Sequence, residues 1–296
     1  ATVLLFGIAN RFNRSKPEMH ANNYAEPVTA LGLMSGTSLD GVDIALIETD
    51  GHAVQRFGPV GERPFTAEER ALLRGALADA QALNDRHARP GRLTEAEAMI
   101  TDAYADTIRD FLAGRESEPV AVVGVHGQTV LHRPQDRLTV QLLDADALAR
   151  RCGLPVVHDL RGADVAAGGQ GAPLVPVFHQ ALARAGGFDL PVAVVNVGGV
   201  ANVTWLGEGD TLMAFDTGPG NALLDDWVNR HTGEPMDRDG VHAANGTVNG
   251  EALATLEAGL SDYLAQDPPK SLDRLDLAAG DALDGLSVED GAATLT

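Results

Sequence analysis

"LGLMSGTSLDGVDIALIE", residues 31–48, sets two apolar runs on either side of a short turn made of glycine, hydroxyl-bearing and acidic side chains. Apolar runs of this length, bounded by Gly, Ser and Asp, read as the two strands of a hairpin. The turn has two explanations. Ser, Gly, Asp and Thr are favoured in any solvent-exposed hairpin, but the same residues can also wrap a phosphate with successive backbone N–H groups. In the second reading Gly36 and Gly41 allow close approach, Thr37 and Ser38 hydrogen-bond phosphate oxygens, and Asp40 or Asp43 holds a hydrated Mg2+.

A second stretch bears on the choice. "VVNVGGVANVTWLGE", residues 194–208, repeats the arrangement of strand, Gly turn and strand, sharing architecture more than letters. This is a weak internal duplication and predicts two similar lobes. "AFDTGPGNALLDDW", residues 214–227, then puts Asp216 at the expected end of a buried strand, before Gly218, Gly220 and a helix starting near Asn221. A carboxylate aimed from a rigid strand end suits a general base, and a helix N-terminus beside it favours an anion. The plainer alternative is an Asp that caps the helix.

The rest of the chain alternates strands and helices, which favours an α/β sheet. "AVQRFG" is expected as a third strand. Residues 66–83 and 94–112 have helical spacing, and Thr66 and Thr94 are expected N-caps because each has Glu three residues later. "PVAVVGVHGQ" and "LPVVHDL" read as strands, and "DADALARRCG" as a helix stopped by glycine. "APLVPVFHQALARAGG" and residues 244–265 also read as helices. The polar, aperiodic segment up to residue 27 reads as a loose leader, with Met19 nearer a natural start. The expected division is 28–190 for the first lobe and 191–296 for the second.

Composition narrows the function classes. Lys and Arg number 22 against 42 Asp and Glu, a net charge of −20, which repels nucleic acid and anionic lipid. An anionic small substrate would therefore need a local cation or backbone N–H groups. Cys152 is the single cysteine, which rules out an intrachain disulfide and fits a reducing, cytoplasmic setting. Neither a signal peptide nor an apolar stretch long enough to span a membrane is read. No GxxxxGK[ST] P-loop occurs, and "NVGGVAN" is followed by a strand pattern where a dinucleotide fingerprint needs a helix.

Other polar clusters carry weaker signals. "GVHGQTVLHRP", residues 124–134, places His126, Gln128 and Thr129 at a strand end. "HDLRGADVAAGGQGAPL", residues 158–174, gathers His158, Asp159, Arg161 and Asp164. The Arg161 fork suits a carboxylate or phosphate, and an ion pair with Asp159 or Asp164 explains it equally well. His126 and His158 lack a third ligand at zinc spacing and are expected in packing or polar contacts. Asp237, Arg238 and Asp239 read as a surface turn, while His231 and His242 carry no signal.

Together, "GLMSGTSLDGVDIAL", "GVHGQTVLHRP", "HDLRGADVAAGGQGAPLVP", "NVGGVANVT" and "FDTGPGNALLD" resemble the 1,6-anhydro-N-acetylmuramic acid kinases of bacterial peptidoglycan recycling. The resemblance runs motif by motif from Leu31 to about Gly240, continues more weakly to the end, and leaves residues 1–27 unmatched. It implies an α/β protein with two ribonuclease-H-like lobes of the actin-like ATPase fold around a nucleotide cleft. It also implies ATP and Mg2+, an anhydro-sugar substrate, and a homodimer as a frequent family state. The implied reaction opens the sugar's 1,6-ether with water and phosphorylates O6, with Asp216 as the base.

By the same resemblance, Gly36, Thr37, Ser38, Leu39, Asp40, Gly41, Val42 and Asp43 form the ATP-phosphate segment. Gly198, Gly199 and Gly218 belong to the second lobe's share, and Thr129 and Arg161 lie near the sugar, with Arg161 toward its lactyl carboxylate. The metal ligands are not identified. The family carries a further Gly-rich adenosine-binding turn of the form GGGxxN, and the sequence stops at "EDGAATLT" before it, so the second lobe is expected to be incomplete. The alternatives are a non-catalytic sugar- or nucleotide-binding remnant of such a kinase, and a carboxylate-pair glycoside hydrolase, which leaves both Gly-rich turns unexplained.

Overall fold

The computed structural model describes residues 26–36, 38–115, 119–209, 211–270, 272 and 280–296. The expected leader and Thr37 of the first turn lie outside the described residues, the leader except for its last two positions. The chain divides into two compact units after Gly187, and each is an α/β arrangement around its own sheet.

The first unit opens with an antiparallel meander, β1 (Val28–Ser35), β2 (Gly41–Thr49) and β3 (Val54–Pro64). Helices α1 (Ala67–Ala80) and α2 (Leu93–Leu112) follow, and then β4 (Val122–Arg133), which pairs parallel to β1. Next come β5 (Leu138–Leu142), α3 (Ala145–Cys152), β6 (Val156–Val157), α4 (Leu160–Ala166) and α5 (Pro176–Ala185). The strand order is β3-β2-β1-β4-β5, with β6 beside β4. Strands β1 and β2 are near-continuous apolar runs because helices cover the sheet. Leu73, Ile100, Tyr104 and Ile108 of α1 and α2 pack with Leu31, Leu33, Val42 and Ile44 in the main core. A smaller cluster of Ala30, Ala45, Ile47 and Val122 forms apart from it.

Local chemistry accounts for the element ends. Thr66 Oγ1 accepts the Glu69 N–H and Glu69 Oε2 accepts the Thr66 N–H, the expected capping box of α1. Thr94 does not cap α2. The carboxylate of Asp79 takes the Arg92 N–H and grips its guanidinium through two further bonds. This sets the helix start at Leu93, and Thr94 Oγ1 donates to the Arg89 carbonyl instead. The expected "LPVVHDL" strand shrinks to β6, because Asp159 adopts φ 57° and its carboxylate pairs with Arg86. The polar cluster after it is helical as α4, and the helix expected over 172–187 begins at Pro176.

The second unit repeats the opening. β7 (Val192–Val197), β8 (Val200–Leu206) and β9 (Leu212–Pro219) form an antiparallel sheet in that order. Helices α6 (Ala222–Thr232), α7 (Val241–Asn245), α8 (Gly250–Leu264) and α9 (Val288–Leu295) follow, around Trp227, Val228, Ala252, Leu283 and Ala292. The helix expected over 244–265 is two helices. Asn249 caps α8 by accepting the Glu251 and Ala252 N–H groups. At Gly246 a side chain is impossible, since its Cβ would lie 1.9 Å from the Glu289 carbonyl oxygen. The turn residues of "NGTVNG" are the sequence signal for this break. Asp237, expected in a surface turn, accepts the His242 and Ala243 N–H groups at the start of α7.

Candidate functional site

In the first unit the β1–β2 connection is a tight turn in which the Leu39 N–H donates to the Gly36 carbonyl at 3.2 Å. Leu39 adopts φ 60°, unfavourable for a residue with Cβ, while its side chain is buried in the core. Burial of the leucine thus holds a strained backbone, a combination found at binding turns. The two glycines differ. Gly41 is a packing requirement, because a Cβ there would lie 2.3 Å from the Arg63 carbonyl oxygen across the β2–β3 pair. At Gly36 the nearest obstacle is Ser38 Oγ at 3.4 Å, so space remains beside the turn. Asp40 is exposed and Asp43 half-buried.

Strand β4 braces this turn. Gln128 Nε2 donates to the Gly36 carbonyl at 3.1 Å, and Gln128 Oε1 is buried with no hydrogen-bond partner among the described residues. Ser35 Oγ reaches the Gly127 carbonyl at 3.4 Å and the Tyr104 hydroxyl at 3.1 Å. Burial pushes the Tyr104 hydroxyl up from its ordinary pKa, so it stays protonated. Ser35 and Tyr104 are not legible as site residues in the sequence, because a serine ending a strand and a tyrosine on a buried helix face carry no pattern of their own.

Beyond the brace, Gly127 turns the backbone with φ 73°, and its carbonyl accepts from His126 Nδ1 at 2.7 Å. Arg161 Nε donates to His126 Nε2 at 2.7 Å and Arg161 Nη1 donates to the Gly171 carbonyl at 2.7 Å. Neither expected carboxylate partner holds Arg161: Asp159 pairs with Arg86, and Asp164 accepts the Gly171 N–H. Burial pushes the Arg161 guanidinium below its ordinary pKa. Burial first, then the Arg161 charge, pushes His126 down to about 4. Thr129 Oγ1 accepts from Gln141 Nε2 at 3.3 Å. His126, His158, Arg86, Arg89 and Gln141 are among the residues lining a cavity of about 170 Å³.

In the second unit Asp216 lies within β9 instead of at its end, and it does not cap α6. It is half-buried, Oδ2 accepts the Leu272 N–H at 2.9 Å, and burial raises its pKa against the pull of that hydrogen bond. The Tyr263 hydroxyl donates to its carbonyl at 2.6 Å. The ladder places Asn196, Asn202 and Asp216 in one row across the three strands. The two asparagines belong to no motif of their own in the sequence, although a polar residue on each side of a Gly-Gly turn within apolar strands is a usable signal.

The β7–β8 turn is joined to the start of α6. Gly220 N–H and Ala222 N–H donate to the Gly199 carbonyl, at 3.0 and 3.2 Å, and Asn221 N–H donates to the Gly198 carbonyl at 2.7 Å. These N–H groups at the entry to α6 are therefore occupied by protein carbonyls. A Cβ placed on Gly218 would meet no atom of the described residues within 4 Å.

A family model described as anhydro-N-acetylmuramic acid kinase matches residues 28–279. The anhydro-N-acetylmuramic acid kinase of Nitrobacter winogradskyi is 58% identical over 271 residues, covering 91% of this chain and 73% of the relative. That of Rhodopseudomonas palustris (strain HaA2) is 56% identical with the same coverage. That of Methylobacterium nodulans is 51% identical over 279 residues, covering 90% of this chain and 74% of the relative. Among solved structures an exopolyphosphatase-like protein covers 80% of this chain and 70% of its own at 13% identity and a TM-score of 0.35, a likeness too loose to add to the argument. Since one family model spans the β1–β2 turn, the His126–Arg161 pair and Asp216, the chain belongs to the anhydro-N-acetylmuramic acid kinase family.

Proposed function

We propose that this chain transfers the γ-phosphoryl group of ATP to O6 of 1,6-anhydro-N-acetylmuramic acid while water opens the 1,6-ether, giving N-acetylmuramate 6-phosphate and ADP, a step of peptidoglycan recycling. The observation that carries the reading is the family match over residues 28–279. Each unit is read as a ribonuclease-H-like lobe of the actin-like ATPase fold, supported by the meander that opens each of them.

In this scheme Asp216 takes a proton from water as its oxygen bonds to C1. The C1–O6 bond breaks, and O6 attacks the γ-phosphorus with ADP leaving. Burial, which raises the Asp216 pKa, makes the carboxylate a stronger base than an exposed one. Gly36 and Ser38 through Asp43 are assigned to the ATP phosphates, together with Gly198, Gly199 and Gly218. Thr129 and Arg161 are assigned to the sugar, Arg161 to its lactyl carboxylate.

Mg2+ is commonly held by one or two carboxylates plus substrate phosphates, and it would neutralise charge on the transferring group. Among the described residues no group of three or more His, Cys, Asp or Glu could hold a metal by itself. Asp40 and Asp43 beside the turn suit the one-or-two-carboxylate pattern.

The test is ADP release from Mg-ATP with and without the anhydro sugar, with mass spectrometry of the product. Sugar-dependent ADP and a hydrated, phosphorylated sugar are expected. Asp216→Asn keeps an acceptor for the Leu272 N–H and should lower kcat by about 10²- to 10⁴-fold, the usual worth of a general base. Binding of sugar without ADP formation would replace the kinase reading by a binding role, and ring opening without ATP would point to a hydrolase.

A further inference from the structure

The arrangement of His126 fixes its protonation. A carbonyl only accepts, so the 2.7 Å contact with Gly127 requires a proton on Nδ1. The Arg161 Nε–H only donates, so Nε2 must offer its lone pair at 2.7 Å. The imidazole is thus the neutral Nδ1–H tautomer, assigned from its partners. Its low pKa, about 4, keeps it in that form at neutral pH.

The consequence lies in the charge of Arg161. A buried arginine is usually fixed by a carboxylate, which orients it and cancels its charge together. Here both orienting acceptors, His126 Nε2 and the Gly171 carbonyl, are neutral. The nearby carboxylates are engaged elsewhere, Asp159 with Arg86 and Asp164 with the Gly171 N–H. The guanidinium is held in place through Nε and Nη1, and Nη2 has no hydrogen-bond partner among the described residues. In a chain of net charge −20, this is a way to keep one positive fork available for an anion.

We propose that His126 is a positioning residue that orients the Arg161 fork without neutralising it, and so sets the preference for a sugar bearing a carboxylate. This rests on the assignment of Arg161 to the lactyl carboxylate made above. His126 acts through Arg161 and touches no reacting atom.

The experiment measures Kd by calorimetry for 1,6-anhydro-N-acetylmuramic acid and for 1,6-anhydro-N-acetylglucosamine, which lacks the lactyl group. The variants are Arg161→Ala, His126→Phe, His126→Gln and His126→Asp, each checked by thermal melting. Arg161→Ala and His126→Phe should each reduce the ratio of the two affinities by about 10- to 100-fold, the worth of a hydrogen bond to a charged group. His126→Gln, which retains a neutral acceptor, should hold the ratio within about threefold, less than the loss of such a bond. His126→Asp retains an acceptor but cancels the charge, so its ratio should fall.

If Arg161→Ala leaves the ratio unchanged, or the unaltered chain binds neither sugar, the assignment of Arg161 fails and this inference with it. If Arg161→Ala lowers the ratio but His126→Phe does not, or His126→Phe weakens both sugars equally, the positioning role alone is overturned. Should His126→Phe not fold, the Gln and Asp pair decides, and equal ratios in those two overturn the proposal.

Discussion

Gly220→Ala perturbs the junction between the β7–β8 turn and α6 at a single atom. A Cβ at Gly220 would lie 2.1 Å from the Gly198 carbonyl oxygen, 3.1 Å from its carbon and 3.2 Å from the Ala201 nitrogen. The obstacles are all backbone, so no side chain can rotate away, and the chain must move by about 1 Å to restore ordinary contact. Three hydrogen bonds cross this gap, from Gly220, Asn221 and Ala222 to the carbonyls of Gly198 and Gly199. At about 0.5–1.5 kcal/mol each, their loss amounts to about 1.5–4.5 kcal/mol. Ala has the higher helix propensity, but Gly220 lies outside α6 and gains nothing from it. Urea titration followed by Trp fluorescence reports on this unit directly, because Trp205 and Trp227 both belong to it. The expected result is a fall in the midpoint with an unchanged slope. A stability within about 0.5 kcal/mol of the unaltered chain would refute the steric argument, since that is the spread of ordinary surface substitutions.

Gly36→Ala and Gly41→Ala separate ligand contact from packing. The first meets nothing nearer than Ser38 Oγ at 3.4 Å among the described residues and should leave thermal stability near that of the unaltered chain while weakening ATP binding in calorimetry; the second meets the Arg63 carbonyl at 2.3 Å and should lower Tm outright. Thr66→Ala removes the capping box of α1 and should cost about 1 kcal/mol in denaturant titration. Glu69, hydrogen-bonded to Arg63, has its pKa lowered in the folded state by that bond first. A lowered carboxylate pKa means that its stabilisation is complete above the unfolded value near 4.5 and is lost as pH falls through the folded value. Glu69→Gln should therefore flatten the acid side of a stability–pH profile and lower stability at pH 7.

How much of the structure is legible varies with the range of the interaction. The strands flanking both Gly turns and the capping box at Thr66 follow from periodicity and from partners three residues apart, and all are present. The start of α2 differs from expectation because Asp79, thirteen residues before Arg92, decides it. The break between α7 and α8 carries a turn signal in "NGTVNG", but a helical pattern on either side conceals it. At the candidate site, residue types are visible and pairings are not: Arg161 can be matched with neighbouring aspartates in the sequence, whereas its partner is His126, 35 residues away.

By itself the sequence determined the α/β class, the position of both Gly turns and the motifs that mark the family, because these depend on neighbours along the chain. Only the tertiary structure decided what several of those residues are for. Gly41 and Gly220 are fixed by carbonyls that arrive from other segments, and Gly36 is not. His126 is neutral because burial disfavours its protonated form, and Arg161 is oriented by two acceptors that carry no charge to cancel its own. The physical reason is common to all of these: steric exclusion and desolvation depend on which atoms share a volume, and that is set by the fold and not by spacing along the chain.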